Sequence, residues 1–327
     1  MPQRVLICDA KATSVEHALQ EDALEACGAT AVPVDPVPRT ESALIEALED
    51  AVGVIVDANV PVTARVLEAA PDLQVVGRAG TGVDNVDLEA AADHGVTVCN
   101  HPTYSVEEVA THTLTLLLAA LRRLPRYDRD VRAGGWDWGE GVPVPRLREV
   151  TVGLVGFGAI PRRLATTMSG FGCEILAADP YVSDDLIRAQ NVEPTDLEDL
   201  LARSDALSIH CPLTEETEGL IGRAELEAVP EDAVVVNTAR GRVIDTDALV
   251  AALEADAIGF AGLDVTDPEP LPAEHPLRRL ENALVTPHTG WYSEGSRRQL
   301  SREIAEDVGR VLAGEGPENE VAAGEGW

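Results

Sequence analysis

The sequence predicts an α/β protein of two domains, each a doubly wound parallel sheet with helices on both faces. Three observations lead there. Residues 4–99 alternate short apolar runs with helix-period segments, and the alternation resumes at 151 and continues to about 286. The stretch 151–179, TVGLVGFGAIPRRLATTMSGFGCEILAAD, joins two apolar runs through a glycine turn and a single helix. At 327 residues the chain is long enough to bury two separate cores.

In the first half, strands are expected at 4–8, 30–34, 53–56, 73–77 and 96–99, with helices at 15–26, 42–49, 63–69 and 87–92 between them. The strands are short Val- and Ile-rich runs, as in parallel sheets covered on both faces. No phosphate-binding glycine turn occurs here, so this half is read as holding a substrate. Residues 105–124, SVEEVATHTLTLLLAALRRL, read as one long helix ended by Pro125, a spine between domains. The segment 134–145, GGWDWGEGVPVP, reads as an ordered loop because it carries two tryptophans. Residues 293–312 form an amphipathic helix, and the acidic stretch 314–327 is expected to fray. These boundaries give a discontinuous substrate domain, 1–102 with 291–327, and an inserted domain, 103–290.

The glycine turn organises the inserted domain. Gly156 permits the turn, Phe157 follows, and Gly158 lets the backbone approach a pyrophosphate. Ala159 and Ile160 open the helix, whose first N–H groups have no intrahelical partner and suit phosphate oxygens. Pro161 stands where a third glycine is usual, and proline is tolerated in a first helical turn. Asp179 lies 23 residues after Gly156, at the end of the second strand. A carboxylate there accepts hydrogen bonds from ribose hydroxyls and repels a 2′-phosphate, favouring NAD over NADP. Strand, glycine turn, helix, strand and a spaced acid together make a Rossmann-type dinucleotide fingerprint.

Charge narrows the partners. Asp and Glu number 57 against 25 Lys and Arg, a net charge of -32, and Lys11 is the single lysine. Nucleic acid and anionic membranes are therefore not expected partners. The balance suits a halophile, since at about 1 M salt the Debye length is only about 3 Å and crowded carboxylates are screened. An ordinary acidic protein from a GC-rich genome is the alternative. Cys8, Cys27, Cys99, Cys173 and Cys211 form no CxxC pair and read as reduced thiols. With no signal peptide recognised and no apolar run of membrane-spanning length, a cytoplasmic location is expected.

Chemistry-bearing residues fall after three later strands. Arg240 follows the run 233–236, Asp264 and Glu269 follow 258–263, and His288 follows 283–285. In one parallel sheet these lie on the carboxyl edge, where ligands bind. An arginine fork can grip an α-keto acid's carboxylate. A histidine can exchange the hydroxyl proton while hydride moves, and a carboxylate beside it stabilises the imidazolium. The remaining histidines, His17, His94, His101, His112, His210 and His275, show no metal-ligand spacing, and His112 reads as a packing or interface residue.

The segments GRAGTGVDNVD (77–87), VGLVGFG (152–158), HCPLTEET (210–217), VVNTARG (235–241), GLDVTDPEP (262–270) and TPHTGWYSE (286–294) resemble the D-isomer-specific 2-hydroxyacid dehydrogenases. The resemblance runs in order across nearly the whole chain. With PTYSVEEVATHTL upstream and GWYSE after the histidine, it is most similar to the branch containing the C-terminal-binding proteins. It implies a Rossmann-type NAD domain inserted in a flavodoxin-like substrate domain, with a cleft closing over NADH and a 2-keto acid. By residue, it implies Arg240 as carboxylate clamp, Glu269 as the acid paired with histidine, and His288 as acid/base. Thr81 and Gly82 match a substrate-carboxylate loop, while Tyr104 and Trp291 match pocket residues. Asp264 matches the acid near the nicotinamide amide, and Thr113 a threonine on the cofactor's phosphate. Cys211 and Pro212 match the loop beside adenine, and Thr238 and Ala239 the cofactor turn ahead of Arg240. Ala159 and Thr266 depart from the family's frequent arginine and aromatic.

The expected activity is NAD-dependent reduction of a 2-keto acid or oxidation of a D-2-hydroxy acid, in a homodimer formed through the NAD domain. The competing expectation is a non-catalytic, NADH-sensing partner protein of the C-terminal-binding type.

Overall fold

The computed structural model describes residues 3–10 and 12–323. The chain divides into two compact units, Met1–Ser105 with Tyr292–Trp327, and Val106–Trp291.

In the first unit, strands β1 (Gln3–Cys8), β2 (Ala29–Pro33), β3 (Ala51–Val56), β4 (Val75–Arg78) and β5 (Thr97–Cys99) form one sheet in the order β2-β1-β3-β4-β5. All its pairs are parallel, and the order is flavodoxin-like. Successive strand residues point to opposite faces, which explains two cores on one sheet. Leu6, Val54 and Val76 pack on the side of helices α2 (Glu41–Ala47), α3 (Ala64–Ala69) and α4 (Leu88–Asp93). Val5, Ile7, Ile55 and Val75 pack on the other side, against α1 (Ser14–Ala26) and the tail helix Glu294–Leu312. Each such fully buried side chain contributes roughly 1.5–3 kcal/mol. The tail helix presses so closely that a Cβ on Gly77 would lie 2.7 Å from Val308.

The second unit opens with α5 (Val106–Leu121) and α6 (Leu124–Arg132), then alternates strands and helices. These are β6 (Thr151–Val155), α7 (Ala159–Met168), β7 (Glu174–Ala178), α8 (Asp184–Arg188), β8 (Glu193–Pro194), α9 (Leu197–Arg203) and β9 (Ala206–Ile209). There follow α10 (Arg223–Ala228), β10 (Val234–Asn237), α11 (Thr246–Glu254), β11 (Phe260–Leu263) and β12 (Ala283–Val285). The seven strands are parallel in the order β12-β11-β10-β9-β6-β7-β8. This is Rossmann order, reversing direction between β6 and β9. Val234 and Val236 join the core under α5 and α7, whereas Val235 joins the core under α10 and α11. The expected fold class, two doubly wound parallel sheets, is the one observed.

Three local expectations differ from the structure. The helix expected over 105–124 stops at Leu121, because Arg123 turns the chain in a left-handed conformation (φ 53°). The Arg123 guanidinium is held by the Gly259 carbonyl at 3.4 Å and by Asp232 at 3.7 Å. Pro125 then sits in the first turn of α6, where its missing N–H costs nothing. The Trp-rich loop is pinned through polar groups, since Tyr127 donates to the Trp138 carbonyl at 2.9 Å and Asp130 accepts from the Asp137 N–H. Its indoles are not the cause, because Trp136 and Trp138 are 89% and 80% exposed. The acidic stretch after the tail helix is tied down over 318–321. Asp307 accepts from the Glu318 and Asn319 N–H groups, and the Val321 N–H donates to Val98. The remainder of the expected frayed tail, 324–327, lies outside the described residues.

Candidate active site

The turn after β6 carries the glycines. Gly156 adopts φ 91°, and a Cβ there would lie 2.9 Å from the Cys211 nitrogen on the neighbouring β9 turn. Only glycine fits this position. Gly158 caps α7 and has nothing within 4 Å of a built Cβ, leaving open space before the first helical N–H groups of Ala159 and Ile160. Pro161 is buried in that same first turn. These are features a pyrophosphate needs, namely a close backbone and unpaired amides. Arg162 closes the turn from behind, its Nε donating to the Phe157 carbonyl at 2.8 Å with the guanidinium over the Phe157 ring.

Phe157, expected among the cofactor residues, has a fully buried ring, and its N–H donates to Asp179 Oδ2 at 2.7 Å. Its part is therefore to fasten the turn. Asp179 also accepts the Tyr181 N–H at 2.8 Å, which fixes the carboxylate and leaves lone pairs for ribose hydroxyls. The Tyr181 hydroxyl donates to Glu216 Oε2 at 2.7 Å, bringing the β7 turn to the loop after β9. That loop holds Cys211 and Pro212, with the Pro212 carbonyl accepting from Thr217 Oγ1 at 2.5 Å. Burial pushes the Cys211 thiol up to about 11, so it is a neutral packing group. Burial likewise drives His210 down to about 3, and the neutral ring rests on Ser208 Oγ at 2.8 Å.

The strand ends of β10, β11 and β12 are neighbours, so their turns share one edge. In the β10 turn, Asn237 spans the corner: Oδ1 accepts from the Ala239 N–H at 2.9 Å and Nδ2 donates to the Arg240 carbonyl at 2.8 Å. Sequence reasoning gave Asn237 no role, although a buried amide closing a turn is a familiar device. Arg240 donates one N–H to the Ala239 carbonyl at 2.9 Å. Gly241 packs on the next turn so tightly that a Cβ would lie 2.2 Å from Thr266 backbone atoms. Thr113 and Thr238, both expected at the cofactor, are brought together. Thr113 Oγ1 donates to Val109 and lies 2.8 Å from Thr238 Oγ1. Thr113 is 0% exposed, and its hydroxyl fastens α5 to the β10 turn.

His288 and Glu269 meet as expected, with His288 Nδ1 2.7 Å from Glu269 Oε1 and both side chains partly exposed. His288 adopts a left-handed backbone (φ 51°), unusual for a non-glycine residue. Its N–H donates to the Asp264 carbonyl at 2.8 Å, and its own carbonyl accepts from Trp291 Nε1 at 2.9 Å.

Asp264 departs most from expectation. Oδ1 accepts from Thr286 Oγ1 at 2.6 Å and the Thr289 N–H at 2.9 Å, and Oδ2 accepts from the Gly290 N–H at 2.8 Å. The His112 ring reaches the same carboxylate at 3.3 Å and Thr286 Oγ1 at 3.0 Å. Burial alone would raise the Asp264 carboxyl. Hydrogen bonds from His112, Thr286 and the two backbone N–H groups outweigh it and hold the group at about 2. Asp264 is thus an ionised strut inside the 286–290 loop. His112, expected as a packing residue, belongs to this cluster.

Thr81, Gly82 and Tyr104 lie in the other unit, after β4 and β5 on its carboxyl edge. There the His101 N–H donates to Gly80, Thr81 Oγ1 donates to the His101 carbonyl at 3.3 Å, and Asn100 Nδ2 donates to the Thr81 carbonyl. His101 pairs with Glu303 and meets the Tyr104 ring edge-on, centroids 6.2 Å apart. Among the described residues no group of metal-ligating side chains assembles, and no helix is long and apolar enough to cross a membrane.

Comparison with known proteins matches residues 114–290 to the D-isomer specific 2-hydroxyacid dehydrogenase, NAD binding domain. A D-3-phosphoglycerate dehydrogenase of Methanocaldococcus jannaschii is 36% identical over 308 residues, covering 94% of this chain and 58% of that protein. A glyoxylate reductase of Korarchaeum cryptofilum is 37% identical over 290 residues, covering 88% of this chain and 87% of that one. A Thermus thermophilus crystal structure superposes with a TM-score of 0.88 at 35% identity, covering 98% of this chain and 100% of that chain. The chain spans 49–58% of the length of the phosphoglycerate dehydrogenases it matches.

Proposed function

The chain belongs to the D-isomer specific 2-hydroxyacid dehydrogenase family and carries its NAD-binding domain, and on that footing we propose that it is an NAD-dependent 2-keto acid reductase. The observation that carries the reading is the 2.7 Å Glu269–His288 pair on the strand edge that also holds Arg240. Bound NADH supplies the hydride. Gly156, Gly158 and the first turn of α7 hold its pyrophosphate, and Asp179 receives the ribose hydroxyls. Arg240 grips the substrate carboxylate and polarises the adjacent carbonyl. Glu269 accepts a hydrogen bond from the His288 Nδ1–H and stabilises the imidazolium, whose Nε2 proton passes to the substrate oxygen as the hydroxyl forms. Within the other unit, the backbone N–H groups of the Thr81–Gly82 loop are proposed as donors for a carboxylate. Trp291, tied to the His288 carbonyl, gives an indole wall suited to bulky or apolar keto acids.

The test is oxidation of NADH and NADPH against a panel of 2-keto acids in molar KCl. Turnover with NADH and a graded preference across the panel supports the reading. Silence across the panel, with tight NADH binding and an intact fold, supports instead an NADH-sensing partner protein, the role suggested by the GWYSE segment after His288.

The NAD-binding unit is also proposed to self-associate. Helix α6 buries none of its residues, and Leu124, Val131, Trp136, Trp138 and Val142 are all exposed beside one another in sequence. Sedimentation in high salt is expected to give a dimer, and Trp136→Ser with Trp138→Ser a monomer; a monomeric wild type overturns this. Adaptation to high salt is proposed on the net charge of -32. A cytoplasmic location is proposed on the five unpaired cysteines, which cell fractionation tests.

A further inference from the structure

We propose that His112 is a positioning residue that fixes the backbone of the His288 loop from outside, through Thr286 and Asp264. The inference rests on the reading above only for what the loop does, since the positioning itself is a matter of structure.

His112 stands on α5, whose buried Leu116, Leu117 and Ala120 are apolar core and whose buried Thr113 bonds Thr238. Its Nε2 lies 3.0 Å from Thr286 Oγ1 and 3.3 Å from Asp264 Oδ1. An ionised carboxylate only accepts, so the Thr286 hydroxyl proton goes to Asp264 Oδ1 at 2.6 Å. The Thr286 oxygen is then left as an acceptor, and Nε2 must carry the proton that fills it. Direction is thereby assigned along the chain: His112 donates to Thr286, and Thr286 donates to Asp264. On its far side Asp264 accepts the Thr289 and Gly290 N–H groups.

The residue enclosed by these bonds is His288. Its left-handed backbone persists only where its neighbours hold it. The Asp264 carbonyl takes the His288 N–H, and the Asp264 carboxylate takes the next two. The loop N–H groups and Thr286, at the end of β12, hold the carboxylate from within the loop; His112 alone braces it from a helix distant in sequence. The fit is close, for a Cβ on Gly290 would lie 2.9 Å from Asp264 Oδ2 and 3.2 Å from His112 Cδ2. Ring, carboxylate and loop backbone therefore form one packed unit, and an ordinary core histidine would need neither this direction nor this proximity.

His112→Gln retains an N–H donor at comparable reach, whereas His112→Leu removes it. Hydrogen–deuterium exchange of a peptide spanning 286–291 reads the positioning directly. His112→Leu is expected to speed exchange of the His288, Thr289 and Gly290 amides about tenfold or more, and His112→Gln to restore protection. In the 2-keto acid assay, kcat is expected to fall between about tenfold and a hundredfold for Leu, with NADH affinity unchanged, and to recover for Gln. Thr286→Val interrupts the chain at its middle and should reproduce the Leu phenotype if His112→Leu does not fold. Unchanged exchange in a folded His112→Leu or Thr286→Val protein, or Gln behaving like Leu, overturns the inference. Altered exchange in a protein inactive on every keto acid sustains the positioning and defeats the enzymatic reading alone.

Discussion

Replacing Asp264 by asparagine keeps the side-chain shape and removes the charge. The group is almost wholly buried and held at about 2 against an ordinary 3.8. At roughly 1.4 kcal/mol per unit, that difference stabilises the folded chain by about 2 kcal/mol at neutral pH. The amide also presents a donor to one of the groups that now donate to the carboxylate, most naturally the Gly290 N–H bonded to Oδ2. A stranded buried N–H adds to the cost, so a loss of about 2–4 kcal/mol is expected. Because the folded-state value is depressed, the stabilisation is present above 3.8 and is lost as pH falls through about 2. Urea unfolding of both proteins at matched salt, near pH 7 and near pH 3, measures it. The gap should shrink by about 1 kcal/mol over that range, from the two-state linkage relation. A gap below about 0.5 kcal/mol at neutral pH, or one that does not change with pH, would refute the view of Asp264 as an ionised strut.

Other outcomes are open to direct measurement. Gly156→Ala places a Cβ against the Cys211 backbone at positive φ, so NADH affinity by fluorescence titration should fall about tenfold or more. Retained affinity would remove this turn from the cofactor site. Asp179→Ala should raise the NADPH-to-NADH preference by at least about tenfold, as a carboxylate facing a 2′-phosphate is lost. It should also cost about 1 kcal/mol, because the Phe157 and Tyr181 N–H groups lose their acceptor. Melting temperature should rise with KCl from about 0.1 M to about 2 M as repulsion among carboxylates is screened. A flat response would detach the acidic composition from salt adaptation.

The sheets were legible because their strands are short, apolar on both faces and punctuated by glycine and acidic caps. Asp87, Asp196 and Asp245 each cap a helix as such punctuation suggests. Placement of Arg240, Glu269 and His288 after successive strands followed from parallel topology, which sends every strand end to one edge. The turn at Arg123 was not legible, since a left-handed arginine has no sequence mark and a first-turn proline looks like a stop. His112 was read as packing because one histidine on an apolar helix carries no hint of a partner at Thr286. The internal bonds of Phe157, Thr113 and Asp264 were hidden for a related reason. A motif names the residues near a ligand and is silent on the bonds they make within the fold. Asn237 and the tail segment 318–321 depend on backbone partners that composition does not encode.

The most direct test of the account compares NADH oxidation by the wild type and His288→Ala with one 2-keto acid that the wild type reduces. NADH binding is measured beside it. If His288 delivers the proton, kcat falls by about a hundredfold or more while NADH affinity stays within about twofold. Turnover that survives the substitution would mean that proton transfer lies elsewhere and that the Glu269–His288 pair is not the acid/base of this protein.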